Sequence, residues 1–177
     1  MAVATAQVPG VRGDSVRPVL FLDFDGVLNS QEHWARRIRV AYRRDGTKAR
    51  MACRAHVDVL NDVVRQTLAS VVVSSSWRCG MTVHELRTLL RGSGFLGRVR
   101  GKTPDRISQL DASCLNRSRG DEIQDWLTAS GHRGPFAIVD DDADMEHLSS
   151  RLVQTTFERG LTRAHVEPLV ALLRSAP

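Results

Sequence analysis

The chain contains 177 residues, 42% of them hydrophobic and 25% charged, which is the composition of an ordinary globular domain with a sizeable core. It has three cysteines but no Cys-x-x-Cys pair, and no apolar run approaches the roughly 20 residues of a membrane helix. The sequence therefore disfavours a disulfide framework, a zinc site and a membrane partner, and we expect a protein of the reducing cytoplasm. The formal net charge of +5 favours anionic partners such as nucleic acid without identifying one.

The first predicted element is a buried strand that ends in an acidic turn. Residues 1–16 lack the basic-then-apolar pattern of a signal peptide, and we interpret them as a flexible tail before one domain at 17–177. The apolar segment 18–24 is typical of a parallel strand buried on both faces, and Asp25 follows it directly. A basic insert at about 30–52 comes next, and it is too short to form a separate cap domain.

Strands and helices alternate over the rest of the chain. Apolar residues at helical spacing predict a core-facing helix over 55–68, and Thr82 with Glu85 predicts a capping box for a helix that stops near Gly92. The other predicted elements, in chain order, are a strand at 71–73, a strand at 95–100, a turn at 101–104, a polar loop at 105–118, a helix around 123–127, a strand at 136–139, a short helix, a strand at 152–156 and a final helix at 163–174. This alternation predicts an α/β fold, a Rossmann-like parallel sheet with helices on both faces.

Polar side chains follow three of the predicted strands. Asp23 and Asp25 end the first, Ser74 and Ser75 follow the second, and the acidic run 140–142 closes the fourth. In open parallel sheets ligands bind beyond the carboxyl ends of the strands, so we expect these residues around one crevice. Carboxylates packed this closely repel one another unless a cation compensates them, and an all-oxygen ligand set favours Mg²⁺ over Zn²⁺. With a metal present, phosphate is the natural further anion.

The same residues form motifs that resemble those of the haloacid dehalogenase superfamily. Asp23-Phe24-Asp25-Gly26-Val27-Leu28 resembles its D-x-D-G-V/T-L signature, Ser74 after three valines resembles its second motif, and Asp140-Asp141 resembles its acidic fourth motif. Three segments further resemble the haloacid dehalogenase domain of Swiss Army Knife RNA-repair proteins: 74–78, 119–127 and 140–145. The resemblance spans most of the chain and implies a haloacid-dehalogenase-like fold with a minimal cap.

The resemblance also implies a catalytic role for the carboxylates. Asp23 is expected to attack phosphorus and become transiently phosphorylated, while Asp25 protonates the leaving group and later activates water. Mg²⁺ is expected to bind Asp23, the backbone carbonyl of Asp25 and Asp141, with Asp140 beside it. The register of the fourth motif stays open, because Asp144 is an alternative ligand to Asp141 and is equally well explained as a carboxylate at a helix N-terminus.

The phosphate ligands are also expected from the resemblance. Ser74 would donate hydrogen bonds to the phosphoryl oxygens, and Ser75 and Arg78 are further candidates. The alternatives are that Ser75 only binds backbone amides of the turn and that Arg78 is a solvated guanidinium. The basic third motif is normally a lysine. Arg119 opens the helix before the fourth-motif strand and is a competent phosphate ligand, so we prefer it to Lys102.

The insert suggests the class of substrate. It carries many basic residues with aromatic residues among them, a mixture that favours binding of single-stranded nucleic acid, whose phosphates pair with cations and whose bases stack on aromatic rings. These residues are Trp34, Arg36, Arg37, Arg39, Tyr42, Arg43, Arg44, Lys48 and Arg50. The expected function is a Mg²⁺-dependent phosphomonoesterase that acts on phosphorylated RNA or DNA ends. A nucleotide or sugar phosphatase and a non-catalytic nucleic-acid-binding domain are the alternatives. The sequence does not indicate an oligomeric state.

Overall fold

The computed structural model describes residues 16–36, 52–104 and 118–175, and these residues contain one five-stranded sheet. The strand order is β3-β2-β1-β4-β5 and all neighbouring strands are parallel. The strands are β1 (Val19–Leu22), β2 (Ser70–Val73), β3 (Val99–Lys102), β4 (Phe136–Asp140) and β5 (Leu152–Gln154). The helices are α1 (Gln31–Arg36), α2 (Arg54–Thr67), α3 (Val83–Gly92), α4 (Arg119–Ser130) and α5 (Val166–Arg174), and short 3₁₀ helices lie at Ser76–Arg78, Glu146–Arg151 and Arg163–His165. The predicted Rossmann-like parallel sheet is confirmed.

Helices cover both faces of the sheet because β1 and its neighbours are apolar on both sides. Leu20 and Leu22 pack into a large core with α2, α3 and α5, to which Leu60 and Leu169 contribute. Val19 and Phe21, which point the other way along the same strand, pack against α4 and the following 3₁₀ helix. This two-sided burial is what a continuous apolar strand predicts.

The register of the central strands brings their polar ends to one level. Leu22 of β1 is aligned with Val73 of β2 and with Val139 of β4. The residues that follow these three are Asp23, Ser74 and Asp140, and they therefore lie side by side at the same edge of the sheet. Hydrogen bonds from Asp23 N to Val139 O (3.1 Å) and from Ser74 N to Leu22 O (3.0 Å) extend the ladder through this point.

Several predicted boundaries differ from the structure. The third strand lies at Val99–Lys102 instead of 95–100, and the predicted turn at 101–104 is wrong, because Gly101 and Lys102 pair with Val72 and Val73 of β2. Phe95 is buried in the loop that precedes the strand. The capping box of Thr82 and Glu85 is confirmed. The short predicted helix after β4 is a 3₁₀ helix, and the final helix is a 3₁₀ turn followed by α5.

Part of the sequence interpretation falls outside the described residues. The tail at 1–15, the arginine-rich stretch 37–51 and the polar loop 105–117 belong to this part of the chain. Of the basic insert, the structure describes the backbone of α1 and the residues that flank it. Among the described segments, no helix combines the length and apolar character that crossing a bilayer requires.

Candidate active site

Three carboxylates meet where β1 and β4 end. Asp23 follows β1, Asp140 is the last residue of β4 and Asp141 comes next, and one carboxylate oxygen from each lies within 4.8 Å of the other two. Asp23 and Asp140 are buried, with 5% and 1% of their surfaces exposed. Such an all-oxygen, anionic cluster is the donor set that a hard divalent cation such as Mg²⁺ takes.

Burial and mutual repulsion disfavour full ionisation of this cluster in the absence of a cation. Burial, followed by the negative charge of Asp140, raises the pKa of Asp23 to about 8. Burial raises the pKa of Asp140 to about 6, although the nearby Arg119 opposes this change. The pKa of Asp141 is also raised, again mainly by burial. One oxygen of Asp140, Oδ2, is buried and accepts no hydrogen bond from the described residues. These carboxylates therefore fit a bound cation, which would favour their charged forms.

The cation supplied by the protein itself is Arg119, the first residue of α4. Its Nη1 lies 3.7 Å from Asp23 Oδ1 and its Nε lies 3.7 Å from Asp140 Oδ2, so one guanidinium faces both buried carboxylates. A capping box between Ser118 and Asp121 starts the helix at this point. The side chain is largely buried, with 16% exposed, so water screens its charge only weakly.

Asp144 lies at the start of the same helix and outside the cluster of three carboxylates. Its Oδ2 accepts a hydrogen bond from the backbone N–H of Arg119 at 2.9 Å, and its carbonyl accepts one from Gly120 N at 3.2 Å. Asp141 rather than Asp144 joins Asp23. Of the two registers that the sequence leaves open, the structure places Asp141 at the candidate metal site and Asp144 at a helix N-terminus.

The hydroxyl side of the site comes from the loop after β2. Ser74 is completely buried, and its Oγ has no hydrogen-bond partner among the described residues. An unpaired buried hydroxyl is costly, so it fits a site that a phosphoryl oxygen would complete. Ser75 is also fully buried; its Oγ accepts from Trp77 N at 3.4 Å, and a side-chain hydrogen bond to Asp23 lowers the pKa of that carboxyl.

Arg78 holds this loop together and leaves no donor for a substrate. It is 2% exposed, and its five N–H groups are directed at protein acceptors. Nη1 donates to Ser74 O (3.1 Å) and Ser75 O (2.9 Å), while Nε and Nη2 donate to Pro104 O (3.4 Å each). Nη2 also donates to the buried carboxylate of Glu122 on α4. The structure therefore does not give Arg78 the expected direct contact with substrate. Arg78 instead forms a buried clamp, which joins the carbonyls of Ser74, Ser75 and Pro104 to the carboxylate of Glu122.

The ammonium group of Lys102 is likewise used within the protein. Its Nζ donates to Arg78 O at 2.9 Å and to Met81 O at 2.7 Å. These bonds tie the end of β3 to the loop that follows the 3₁₀ helix after β2. Arg119 is the basic residue that the structure brings beside Asp23, and Lys102 supports the neighbouring loop.

Asp25 stands beside the cluster but belongs to a different hydrogen-bond group. Its Oδ2 accepts from Trp77 Nε1 at 2.7 Å and its Oδ1 accepts from Asn29 Nδ2 at 3.4 Å. Asn29 belongs to none of the sequence motifs, and Trp77 lies within the segment 74–78 that resembles the RNA-repair branch. The Asp25 carboxylate thus lies outside the cluster of Asp23, Asp140 and Asp141, which is compatible with the proton-transfer role expected of it.

Gly26 allows the Asp141 carboxylate to approach the turn after β1. Gly26 has a φ of +74°, and a Cβ at this position would lie 2.0 Å from Asp141 Cγ. Thr155 Oγ1 donates to Gly26 O at 2.7 Å and Gln154 Nε2 donates to Asp141 O at 2.9 Å, so both sides of this approach are fixed. In the sequence, the glycine of the first motif signals this approach, whereas Gln154 at the end of β5 and Thr155 directly after it belong to no motif.

The fold and the placement of these side chains define a domain of the haloacid dehalogenase superfamily. The family described as the HAD domain in Swiss Army Knife RNA repair proteins matches residues 19–166, and the chain belongs to that family. Comparisons with curated proteins and with solved structures found no match. The resemblance stated from the sequence is confirmed at the level of the superfamily and of this branch.

Proposed function

We propose that the chain is a Mg²⁺-dependent phosphomonoesterase that forms an aspartyl-phosphate on Asp23 and acts on phosphorylated nucleic-acid ends. The observation that carries the proposal is the meeting of Asp23, Asp140 and Asp141 beside Arg119. Next to them lies the Ser74 hydroxyl, which has no hydrogen-bond partner in residues 16–36, 52–104 and 118–175. Phosphoryl transfer is catalysed mainly by positioning and charge neutralisation, and this site offers both.

The metal would be held by Asp23, Asp141 and the backbone carbonyl of Asp25, with Asp140 beside them. When bound, Mg²⁺ would neutralise negative charge on the phosphoryl oxygens. The raised pKa values of Asp23 and Asp140 support this assignment, because carboxylates that repel one another in a buried site gain most from a cation. The oxygen-only donor set favours Mg²⁺ over thiophilic metals.

The reaction would proceed in two displacements at phosphorus. In the first, a carboxylate oxygen of Asp23 forms a bond to phosphorus, the bond to the leaving oxygen breaks, and Asp25 gives that oxygen a proton. In the second, Asp25 takes a proton from water as the water oxygen attacks phosphorus, and the acyl-phosphate bond to Asp23 breaks to release phosphate. Dividing the hydrolysis in this way replaces one difficult step with two easier ones.

Two further side chains would bind the phosphoryl group. The Ser74 hydroxyl would donate to a phosphoryl oxygen and thereby gain a partner that it lacks among the described residues. Arg119 has an Nη1 without a hydrogen-bond partner among the described residues, and this group faces Asp23. A guanidinium binds phosphate through paired N–H donors, so Arg119 is suited to the position where the superfamily usually has a lysine.

The substrate class is supported by the family and by the size of the insert. The family's description refers to RNA repair proteins. The insert of about 30–52 is too short for a cap domain, so a bulky nucleic-acid end would meet little obstruction, and its arginines would suit a phosphate backbone. Cys53 and Cys79 are free thiols, in keeping with the reducing cytoplasm that we propose as the compartment.

The test is a phosphatase screen with Mg²⁺ that places 3′- and 5′-phosphorylated RNA and DNA oligonucleotides beside nucleotides and sugar phosphates. We expect turnover that requires Mg²⁺ and is faster on an oligonucleotide end, and Asp23→Asn should abolish it. Preference for a small phosphate ester would replace the nucleic-acid assignment with a metabolite phosphatase. Oligonucleotide binding without hydrolysis of any ester would indicate the non-catalytic alternative.

A further inference from the structure

A short hydrogen bond joins Trp77 to the carboxylate proposed for proton transfer. The indole Nε1 donates to Asp25 Oδ2 at 2.7 Å, at the short end of the range for an N–H donor and typical of a charged acceptor. The two residues are 52 positions apart in sequence. Trp77 belongs to the loop after β2, whereas Asp25 belongs to the turn after β1, so the bond links the two loops that build the site.

The indole is held on two sides, so its N–H points in a defined direction. Its ring packs edge-on against Phe24 at a centroid distance of 5.3 Å and an interplanar angle of 69°. Phe24 is fully buried and lies between Asp23 and Asp25 in sequence. On the backbone side, Trp77 N donates to Ser75 Oγ at 3.4 Å. The indole is therefore fixed relative to both the nucleophile and the phosphate-binding loop.

The second oxygen of Asp25 is restrained from the opposite direction. Asn29 is fully buried, and its Nδ2 lies 3.4 Å from Asp25 Oδ1. Together the two donors set the plane of the carboxylate and keep it apart from the cluster of Asp23, Asp140 and Asp141. Proton transfer depends on this geometry, since a displacement of about 1 Å at a reacting group is enough to lower a rate by about a hundredfold.

We infer that Trp77 is a positioning residue, which orients the Asp25 carboxylate for proton transfer to the leaving oxygen through its indole N–H. The inference rests on the proposed function, because it assigns Trp77 a part in the same reaction. Trp77 does not need to touch the substrate for this purpose. Its effect acts through Asp25, so it should matter most when the leaving oxygen needs a proton.

The test compares Trp77→Phe with wild type on two phosphate esters, with Mg²⁺ present. Phenylalanine keeps an aromatic ring against Phe24 and removes the N–H. For an alkyl phosphate, whose leaving alkoxide needs protonation, we expect kcat/KM to fall by about 10- to 100-fold, part of the 10²–10⁴ that general acid catalysis supplies. For p-nitrophenyl phosphate, whose leaving group departs without a proton, kcat/KM should fall by less than about threefold. The comparison uses kcat/KM because this ratio covers the steps up to phosphorylation of Asp23 and excludes the later attack of water, which Asp25 assists for both esters.

Trp126→Phe is the matched control. Trp126 is also partly buried and also packs edge-on against a buried phenylalanine, Phe21, at 5.4 Å, but it lies on the opposite face of the sheet. It should lose similar packing and keep both activities. Equal losses of kcat/KM on the two esters for Trp77→Phe, no loss on either, or the same result for Trp126→Phe would overturn the inference while wild-type turnover upheld the proposed function. Absence of wild-type turnover on both esters and on every phosphorylated oligonucleotide of the screen would instead refute the proposed function itself.

A second measurement reads the contact without turnover. In protein labelled with ¹⁵N-tryptophan, the indole N–H resonance of Trp77 should move on Asp25→Ala and stay in place on Asp144→Ala, because the bond goes to Asp25 alone of these two. The resonance is assigned by its absence in Trp77→Phe. If the chemical shift of the Trp77 indole N–H is unchanged in Asp25→Ala, the inference is overturned irrespective of the kinetic results.

Discussion

Replacing Gly26 with alanine should separate metal binding from folding. The residue has a φ of +74°, where an L-residue is strained, and an added Cβ would lie 2.0 Å from Asp141 Cγ. Ordinary contacts of a Cβ begin near 3.4 Å and essentially never fall below 3.0 Å, so the Asp141 carboxylate must move by at least about 1 Å. Asp141 is only partly buried, so its side chain has room to turn towards solvent.

Two effects of different size follow from this geometry. The strained backbone costs about 1–2 kcal/mol of unfolding free energy, which corresponds to a fall in Tm of roughly 2–8 °C for a chain of this length. Magnesium accepts ligands at about 2.0–2.1 Å in near-octahedral geometry, so a carboxylate displaced by about 1 Å is lost as a ligand. We therefore expect the Kd for Mg²⁺ to rise by about 10- to 100-fold, as is typical when a ligand's orientation is spoiled.

Gly131→Ala provides the matched control. Gly131 follows the last residue of α4 with a φ of +60°, and a Cβ there would meet no atom of the described residues within 4 Å. The assay is thermal denaturation with and without Mg²⁺, together with a Mg²⁺ titration of phosphatase activity. Both variants should melt a few degrees lower in metal-free buffer, but Gly26→Ala alone should lose the stabilisation by Mg²⁺ and the activity at low Mg²⁺. Equal Mg²⁺ affinity in the two variants would refute the placement of Asp141 at the metal.

Further predictions concern the register, the pH dependence and the buried clamp. Asp141→Ala should weaken Mg²⁺ binding by about 10- to 100-fold in calorimetric titrations. Asp144→Ala should keep the affinity and lose about 0.5–1.5 kcal/mol of stability with its hydrogen bond to the backbone N–H of Arg119; the reverse order would select the other register. In the metal-free folded protein the pKa of Asp23 is raised from 3.8 to about 8, so between these pH values the folded state binds a proton that the unfolded chain releases. The unfolding free energy of wild type should therefore fall, relative to that of Asp23→Asn, as pH rises from about 4 to about 8. Urea unfolding at several pH values measures this difference, and Mg²⁺ should diminish it. Arg78→Met should cost about 3–5 kcal/mol, because it removes the arginine that pairs with the buried carboxylate of Glu122. Arg78→Met with Glu122→Leu should recover much of this loss in urea unfolding, and no recovery would count against the clamp.

The convergence of the site could be predicted because it depends on a few local signals. Apolar runs ending in Asp23, Ser74 and Asp140 indicated parallel strands with polar carboxyl ends, and parallel strands present those ends at one edge of the sheet. The aligned register of the three strands then brings the side chains together without further information. The register of the fourth motif could be decided only from the structure, because Asp141 and Asp144 are three positions apart and the sequence allows either to face the cluster.

The roles of Arg78 and Lys102 could not be predicted, because they depend on partners far away in the sequence. Glu122 is 44 residues from Arg78, and Pro104 is 26 residues away. Spacing along the chain does not say which of many acceptors a guanidinium will reach. The predicted boundary of β3 is wrong for a similar reason. Gly101 is a residue type typical of turns, but its pairing with Val72 of β2 places it in a strand.

The buried clamp supports the proposal that Arg119 takes the position where the superfamily usually has a lysine. Arg78 joins the carbonyls of the Ser74 loop to Glu122 of α4, and Asp144 anchors the backbone of Arg119 at the first turn of that helix. The start of α4 is thus fixed relative to both the hydroxyl loop and β4. From this position a planar guanidinium faces the carboxylates of β1 and β4 with two different nitrogens, whereas an ammonium group acts as a single point charge. The arginine at this position therefore depends on a helix terminus held rigidly in place, and loosening the clamp should lower phosphate affinity even though none of the clamp's own donors faces the phosphate.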